Sequence, residues 1–166
     1  MNNLTILWLD DQRDPYVYLK KRGNSNTLIR NQQFYNNLLK NYNVKFVWVK
    51  NFYQFVDYIK KNGIPQFISF DHDLNNRGGG DGLSDEQKLE NNGANCARWL
   101  VEYCRKNGCS LPRFYIHSAN PRGSVEINKV LTNEQHKQQA VHIRLTESEL
   151  HEIIKEAVNT ILNDII

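Results

Sequence analysis

The feature that most constrains this chain is a pair of acidic clusters, each placed directly after a short hydrophobic run. Asp10-Asp11 follows residues 5–9, and Asp71-His72-Asp73 follows residues 67–70. A short apolar run bounded by polar residues is typical of a buried strand, and ligands of parallel sheets bind at the carboxyl ends of the strands. The two clusters place four carboxylates there, and together they need a cation.

Helical patterns separate the hydrophobic runs, and this alternation predicts a parallel sheet of the α/β class. We expect strands at residues 4–9, 44–49, 66–70 and 113–116. Right-handed crossovers then give a three-layer, doubly wound sheet with the strand order 2-1-3-4. In this order strands one, three and four are neighbours, so their polar ends meet in one crevice.

The length of 166 residues suits one core and a short appendage. We expect an α/β domain over residues 1–140 and an amphipathic helical tail over residues 141–166, with a capping box of Thr146 and Glu149. The alternation of Val141, Ile143 and Leu145 is compatible with a fifth, edge strand. The tail can dock on its own domain or on a protein partner, and the sequence leaves both readings open.

Composition excludes several classes of protein. No apolar run approaches the ~20 residues that span a bilayer, and residues 1–3 lead directly into the first strand, so we expect no membrane association and a cytoplasmic location. The three cysteines lack C-x-x-C spacing, which disfavours a disulfide framework or a zinc knuckle. Residues 145–166 carry a charge of −4, so the other 144 residues carry +7, and this basic body suits an anionic ligand, although no dense basic stripe indicates a nucleic-acid groove.

The carboxylates of Asp10, Asp11 and Asp71 are the expected metal ligands. Close carboxylates repel one another unless a cation neutralises them, and oxygen ligands favour Mg²⁺ or Mn²⁺. The competing explanation for the acidic pair is helix capping or an ion pair with Arg13.

Catalytic roles are assigned to His72, His117 and Asp73. Imidazole titrates near neutral pH, so two histidines on converging strand ends can serve as general acid and base. A lone histidine is more often structural, but two of them beside carboxylates favour function.

A phosphate cradle is expected where the fourth helix begins. Ser118, the Asn120 side chain and the backbone amides of Arg122 and Gly123 can bind a phosphate there. Arg122 and Arg13 can supply positive charge. Plain capping of the helix by Ser118 or Asn120 is the competing explanation.

With these residues in view, the chain resembles the cyclic-phosphate-processing receiver-like family, a divergent relative of response-regulator receiver domains in bacteria and phages. The motifs that carry the resemblance are Leu9-Asp10-Asp11-x-Arg13-x-Pro15, Phe70-Asp71-His72-Asp73-Leu74 and His117-Ser118-Ala119-Asn120-Pro121-x-Gly123. The resemblance implies a flavodoxin-like fold, an acidic metal pocket and the binding or hydrolysis of cyclic phosphates.

Two features depart from the pattern of that family. Asn92-Gly93 stands where Thr-Gly is expected, and the glycine-rich residues 75–93, which we interpret as a lid or an ornament, form a longer connection. The terminal segment from residue 143 is similar to a peptide that recurs on phage proteins, so the cytoplasm would be that of a bacterium or of a phage host.

Three functions are therefore in competition. The first is a metal-dependent phosphoesterase that opens cyclic phosphates, either cyclic nucleotides or the 2′,3′-cyclic end of a nucleic acid. The second is a non-catalytic module that binds and sequesters cyclic nucleotides. The third, a receiver phosphorylated on Asp71 or Asp73, is disfavoured because residues 141–145 lack the lysine that ordinary receivers carry at the end of their fifth strand.

Overall fold

The sheet of this protein has four parallel strands. A computed structural model describes residues 1–74 and 91–163. The strands are β1 (Asn2–Leu9), β2 (Tyr42–Val49), β3 (Phe67–Phe70) and β4 (Arg113–Ile116), in the order β2-β1-β3-β4. The predicted strand order is confirmed. The glycine-rich segment for which a lid was expected lies, over residues 75–90, outside the described residues.

Five helices connect or follow the strands in the described part of the chain: α1 (Pro15–Tyr18), α2 (Asn26–Asn41), α3 (Phe52–Asn62), α4 (Gly93–Asn107) and α5 (Pro121–Asn163). Asparagines begin two of them, since the side chains of Asn51 and Asn92 accept hydrogen bonds from backbone amides in the first turns of α3 and α4. Gly63 and Gly108 end the same helices with φ values of 78° and 63°, which glycine adopts without strain.

The two faces of the sheet are covered by different helices. Alternate side chains of β1 point to opposite faces. Ile6 and Trp8 pack with Tyr35 of α2, whereas Leu7 and Leu9 pack with Phe55 of α3 and with side chains of α4 and the start of α5. The result is the three-layer, doubly wound arrangement that the sequence predicted.

The register of the strands brings three strand ends to one level. Leu9 pairs with Phe70, and Phe70 pairs with Ile116. The ladder continues one residue further, because the amide of Asp71 donates to the carbonyl of Leu9 and the amide of His117 to the carbonyl of Phe70, both at 2.9 Å. The first residue after each strand is therefore fixed by the sheet itself.

The C-terminal part of the chain differs from the expectation. Residues 141–145, for which a fifth edge strand was considered, belong to the continuous helix α5, and so do Thr146 and Glu149, where a separate helix was expected to begin. The reason is that no proline or glycine occurs after Gly123, so nothing in the sequence interrupts the helix.

The chain forms two compact units, Met1–Leu131 and Thr132–Ile166. The first contains the whole sheet, and the second is helical over its described residues. The boundary that we expected at residue 140 lies within α5. Across the described ranges 1–74 and 91–163, no helix has the length and apolar character that crossing a bilayer requires.

Substitution of Gly93 by alanine should destabilise the junction between β3 and α4. A Cβ atom at this position would collide with the backbone carbonyl of Asp71. We expect Gly93→Ala to lower the free energy of unfolding by about 1–3 kcal/mol, as overpacking of a rigid site does. Urea unfolding measures the change. Glu102→Ala on the exposed face of α4 is the control, and equal stability of the two variants would contradict this account.

Candidate functional site

Three buried carboxylates meet beyond the ends of β1 and β3. Asp10, Asp11 and Asp71 each place an oxygen within 4.8 Å of the others, and their exposed fractions are only 0%, 6% and 5%. Asp10 and Asp71 owe their positions to the sheet ladder, and Asp11 follows Asp10 directly. The three predicted metal ligands are therefore brought together.

The cation that contacts this cluster in the described chain is the guanidinium of Arg13. Its Nε lies 2.6 Å from Asp10 Oδ2, and one terminal nitrogen lies 2.5 Å from Asp71 Oδ2. The guanidinium also lies over the ring of Tyr18. The ion pair that the sequence offered as the competing explanation is thus present.

All four lone-pair positions of the Asp10 carboxylate are in use. Oδ1 accepts hydrogen bonds from the backbone amides of Gln12 and Arg13, and Oδ2 accepts from Arg13 Nε and from His117 Nε2. Burial alone would raise the pKa of Asp10, but the hydrogen bond from His117, together with the charge and backbone amide of Arg13, outweighs it and lowers the pKa. Asp10 can bind a metal ion only in place of one of these donors, and Arg13 is the one whose guanidinium also contacts Asp71, through a terminal nitrogen.

Asp11 has a different environment. Among the described residues, its side chain accepts one hydrogen bond, a long one of 3.4 Å from Gln12 Nε2 to Asp11 Oδ2. Burial, joined by the negative charges of Asp10 and Asp71, raises the pKa of Asp11. The cluster therefore holds an incompletely compensated negative charge.

The charge balance of the cluster fits a divalent cation. Three carboxylates contribute −3 and Arg13 contributes +1, which leaves −2 when His117 is neutral. Burial is also the main influence on Arg13 and would lower its pKa, but Asp71 and Asp10 outweigh it and raise the pKa, so Arg13 stays charged. An all-oxygen donor set with this residual charge suits a hard divalent cation.

His117 lies beneath the cluster and is completely buried. Its ring stacks on Trp8 at a centroid distance of 4.0 Å, and its nitrogens contact Asp10 and Ser69. Burial lowers the pKa of His117 despite the neighbouring Asp10 carboxylate, so the neutral ring predominates near pH 7. The structure therefore does not bring His117 to a ligand as the proton-transfer group that the sequence suggested.

An open cavity of about 410 Å³ lies above the cluster. It is lined by Asp11, Gln12, Arg13, Asp71, Asp73, Ser118 and Ala119. A second cavity of about 460 Å³ lies beside β4, and among the described residues that line it none is a carboxylate. The cavity above the aspartates is therefore the one suited to a cation and its ligand.

His72 and Asp73 form a separate pair at the edge of the cavity. His72 Nδ1 donates to Asp73 at 2.7 Å, and the Asn120 amide donates to both Asp73 oxygens at 3.0 and 3.2 Å. Burial would raise the pKa of Asp73, but these hydrogen bonds from His72 and Asn120 lower it. Asp73 lines the cavity, whereas His72 is not among the residues that line it.

The start of α5 is not the open phosphate cradle that the sequence suggested. The amide of Gly123 donates to the Asn120 side chain at 3.0 Å, so Asn120 caps the helix. A Cβ atom on Gly123 would collide with the His72 ring, so this glycine makes room for the histidine. Arg122 is exposed and is not among the residues that line the cavity. Of the five residues proposed for phosphate, Ser118 and Arg13 line the cavity.

Several residues of the site were not anticipated from the sequence. Trp8 Nε1 donates to the carbonyl of Arg13 at 2.8 Å, and Trp48 Nε1 donates to the carbonyl of Asp10 at 2.5 Å. The two indoles thus hold the backbone of the acidic loop, although their spacing indicated core residues only. Ser69 was also missed, and its signal was a hydroxyl in an otherwise apolar strand.

The buried, neutral His117 should make the protein sensitive to acid. Its pKa lies below the ordinary value of 6.5, so the unfolded chain binds a proton that the folded chain excludes, and the free energy of unfolding falls as the pH drops below about 6.5. In His117→Gln this dependence should be weaker, by at most about 1.4 kcal/mol per pH unit. Urea unfolding in EDTA measures both slopes.

The exposed His151 provides the control for this measurement. His151→Gln should keep the slope of the unaltered protein. Parallel pH profiles for the unaltered protein and His117→Gln would contradict a neutral, buried His117.

Comparison with known proteins agrees with the geometry of the site. A solved structure of a segment of the yeast Spc42 trimeric coiled coil in a fusion protein aligns over 98% of this chain and 97% of its own, with 17% identity and a TM-score of 0.41, too low to bear on the fold. No curated protein matches the chain. A family model described as the cyclic-phosphate processing receiver domain matches residues 5–133, which include the whole acidic cluster and its cavity. The chain therefore belongs to the cyclic-phosphate processing receiver family.

Proposed function

We propose that this protein is a metal-dependent phosphoesterase that opens a cyclic phosphodiester. The observation that carries the proposal is the buried cluster of Asp10, Asp11 and Asp71, whose residual charge of −2 faces an open cavity. An anionic phosphodiester would be repelled by these carboxylates alone. A divalent cation held by them would remove the repulsion and attract the phosphate.

Asp10, Asp11 and Asp71 would hold the metal ion. When bound, a divalent ion polarises the phosphoryl group and makes water more acidic. Arg13 and Ser118 line the cavity and supply a positive charge and a hydroxyl to the non-bridging oxygens of the substrate. Ser118 Oγ accepts a hydrogen bond from the backbone amide of Asn120. The hydroxyl proton of Ser118 is not used in that bond and can be donated to a ligand.

Asp73 would be the carboxylate that accepts a proton within the cavity. Its side chain is 65% exposed and is oriented by His72 and Asn120. Through Nε2, His72 approaches Glu126 at 3.8 Å, and Glu126 is in turn paired with Arg98. The imidazole therefore holds the cavity carboxylate through one nitrogen, while its other nitrogen lies near Glu126, outside hydrogen-bond distance.

A panel of cyclic phosphates tests the proposed activity. We expect the purified protein to open at least one 2′,3′-cyclic nucleotide or cyclic oligonucleotide in Mg²⁺ or Mn²⁺, and EDTA to abolish the reaction, as chromatography of the products would show. Asp11→Asn should reduce the rate to background, because it removes the carboxylate that contacts no cation among the described residues. Asp57→Asn, on the exposed face of α3, is the matched control.

The same panel separates the two main hypotheses. Ring opening that is equal in Asp11→Asn and in the unaltered protein would refute the metal mechanism. In the alternative outcome, a cyclic phosphate raises the melting temperature of the protein while no ring is opened with any metal ion. That result would refute the enzyme hypothesis and support a sequestering module.

Replacement of Arg13 tests whether the cluster takes a divalent cation. Arg13 occupies acceptor positions on Asp10 and Asp71 that a metal ion would use. Arg13→Gln should therefore destabilise the protein in EDTA and bind Mg²⁺ about tenfold more tightly or better. Isothermal titration measures the affinity.

Arg22→Gln, in the exposed segment before α2, serves as the control and should bind Mg²⁺ like the unaltered protein. Weaker Mg²⁺ binding by Arg13→Gln than by this control would show that Arg13 and the ion do not compete.

A further inference from the structure

A hydrogen-bonded chain of three side chains lies beneath Asp10. His117 Nε2 is 3.0 Å from Asp10 Oδ2, and His117 Nδ1 is 2.6 Å from Ser69 Oγ. Ser69 Oγ is in turn hydrogen-bonded to Tyr35 Oη. All four residues have no exposed surface, and they come from the ends of β1 and β4, from β3 and from α2.

Only one placement of the protons satisfies every member of this chain. An ionised Asp10 can only accept, so His117 Nε2 carries the proton between them. In the neutral ring Nδ1 is then an acceptor and takes the proton of Ser69. The oxygen of Ser69 is thereby left to accept the proton of Tyr35.

The opposite arrangement leaves a donor unsatisfied. If His117 Nδ1 carried a proton, it would donate to Ser69, and Ser69 would donate to Tyr35. The proton of Tyr35 would then need another acceptor, and in the described part of the chain the only hydrogen bond of its hydroxyl is the one to Ser69. A buried donor without a partner is unfavourable, so this hydrogen-bonded chain selects the Nε2–H tautomer.

The same chain decides which lone pair of Asp10 faces the other carboxylates. Backbone amides occupy both positions of Oδ1, and His117 occupies one position of Oδ2. The remaining position of Oδ2 accepts from Arg13 Nε, and the same guanidinium contacts Asp71 through a terminal nitrogen. The stacking of the His117 ring on Trp8 keeps the direction of the Nε2–H bond fixed.

We propose that Tyr35, Ser69 and His117 are positioning residues that orient Asp10 for a divalent cation. The inference rests on the proposed metal site. Groups that hold a metal ligand from behind set its orientation, and their loss typically weakens metal binding by about 10–100-fold. His117 thereby has a role that needs no access to the cavity.

Two variants and one control test the proposal. Ser69→Ala removes the donor to His117 Nδ1, and Tyr35→Phe removes one oxygen while its ring can keep its contacts with Trp8, Phe34 and Phe46. Tyr115→Phe is the matched control, since the hydroxyl of Tyr115 donates to Asn31 and makes no hydrogen bond to His117, Ser69 or Tyr35 in the described part of the protein.

The first measurement is nitrogen-15 NMR of the histidine rings in the metal-free protein. We expect the Nε2–H tautomer for His117 in the unaltered protein, in Tyr115→Phe and in Ser69→Ala, because Asp10 accepts from Nε2 in all three. In Ser69→Ala alone, the nitrogen-15 signal of Nδ1 should move downfield, to the range of a ring nitrogen that accepts no hydrogen bond. A His117 ring without a proton on Nε2 in the unaltered protein would overturn the proposal.

The second measurement is Mn²⁺ affinity by isothermal titration. We expect Ser69→Ala to bind about 10–100-fold more weakly, Tyr35→Phe to lose affinity in the same direction, and Tyr115→Phe to be unaffected. If Ser69→Ala does not fold, Tyr35→Phe decides. Unchanged affinity in the folded variants refutes the positioning role alone, whereas an unaltered protein that binds no Mn²⁺ refutes the proposed function as well.

Discussion

The repulsion among three buried carboxylates is the constraint on which the rest of the site depends. Asp10, Asp11 and Asp71 are held together by the ladder of the sheet, which continues past the strand ends, and not by attraction to one another. Covalent connection and backbone hydrogen bonds therefore impose an arrangement that electrostatics opposes. The guanidinium of Arg13 relieves part of this opposition, and its contacts with Asp10 and Asp71 are correspondingly short.

The sequence predicted the sheet, its strand order and the meeting of the acidic residues, because each of these depends on local patterns and on the handedness of crossovers. The prediction was weaker after Gly123. There an alternating apolar pattern resembled a strand over residues 141–145, but the absence of any helix breaker favoured one continuous helix.

The roles of individual side chains were harder to predict than their places. His117 and His72 both follow strands, as expected, yet one is sealed beneath Asp10 and the other lies against the start of α5. Whether a side chain at a strand end turns toward the cavity or into the core depends on contacts from distant segments. Ser69 and Tyr35 illustrate this, because they are 34 residues apart and their hydrogen bond has no local signature.

The two indole hydrogen bonds at the acidic loop bear on how quickly the site can exchange its cations. Trp8 and Trp48 bind the carbonyls at either end of the segment from Asp10 to Arg13, and the indole of Trp8 belongs to the packed core. The backbone beneath the Arg13 side chain is thereby anchored. Withdrawal of the guanidinium then requires release of its two ion pairs and rotation about side-chain bonds, with no opening of the loop, so the entry of a divalent ion would not depend on backbone motion.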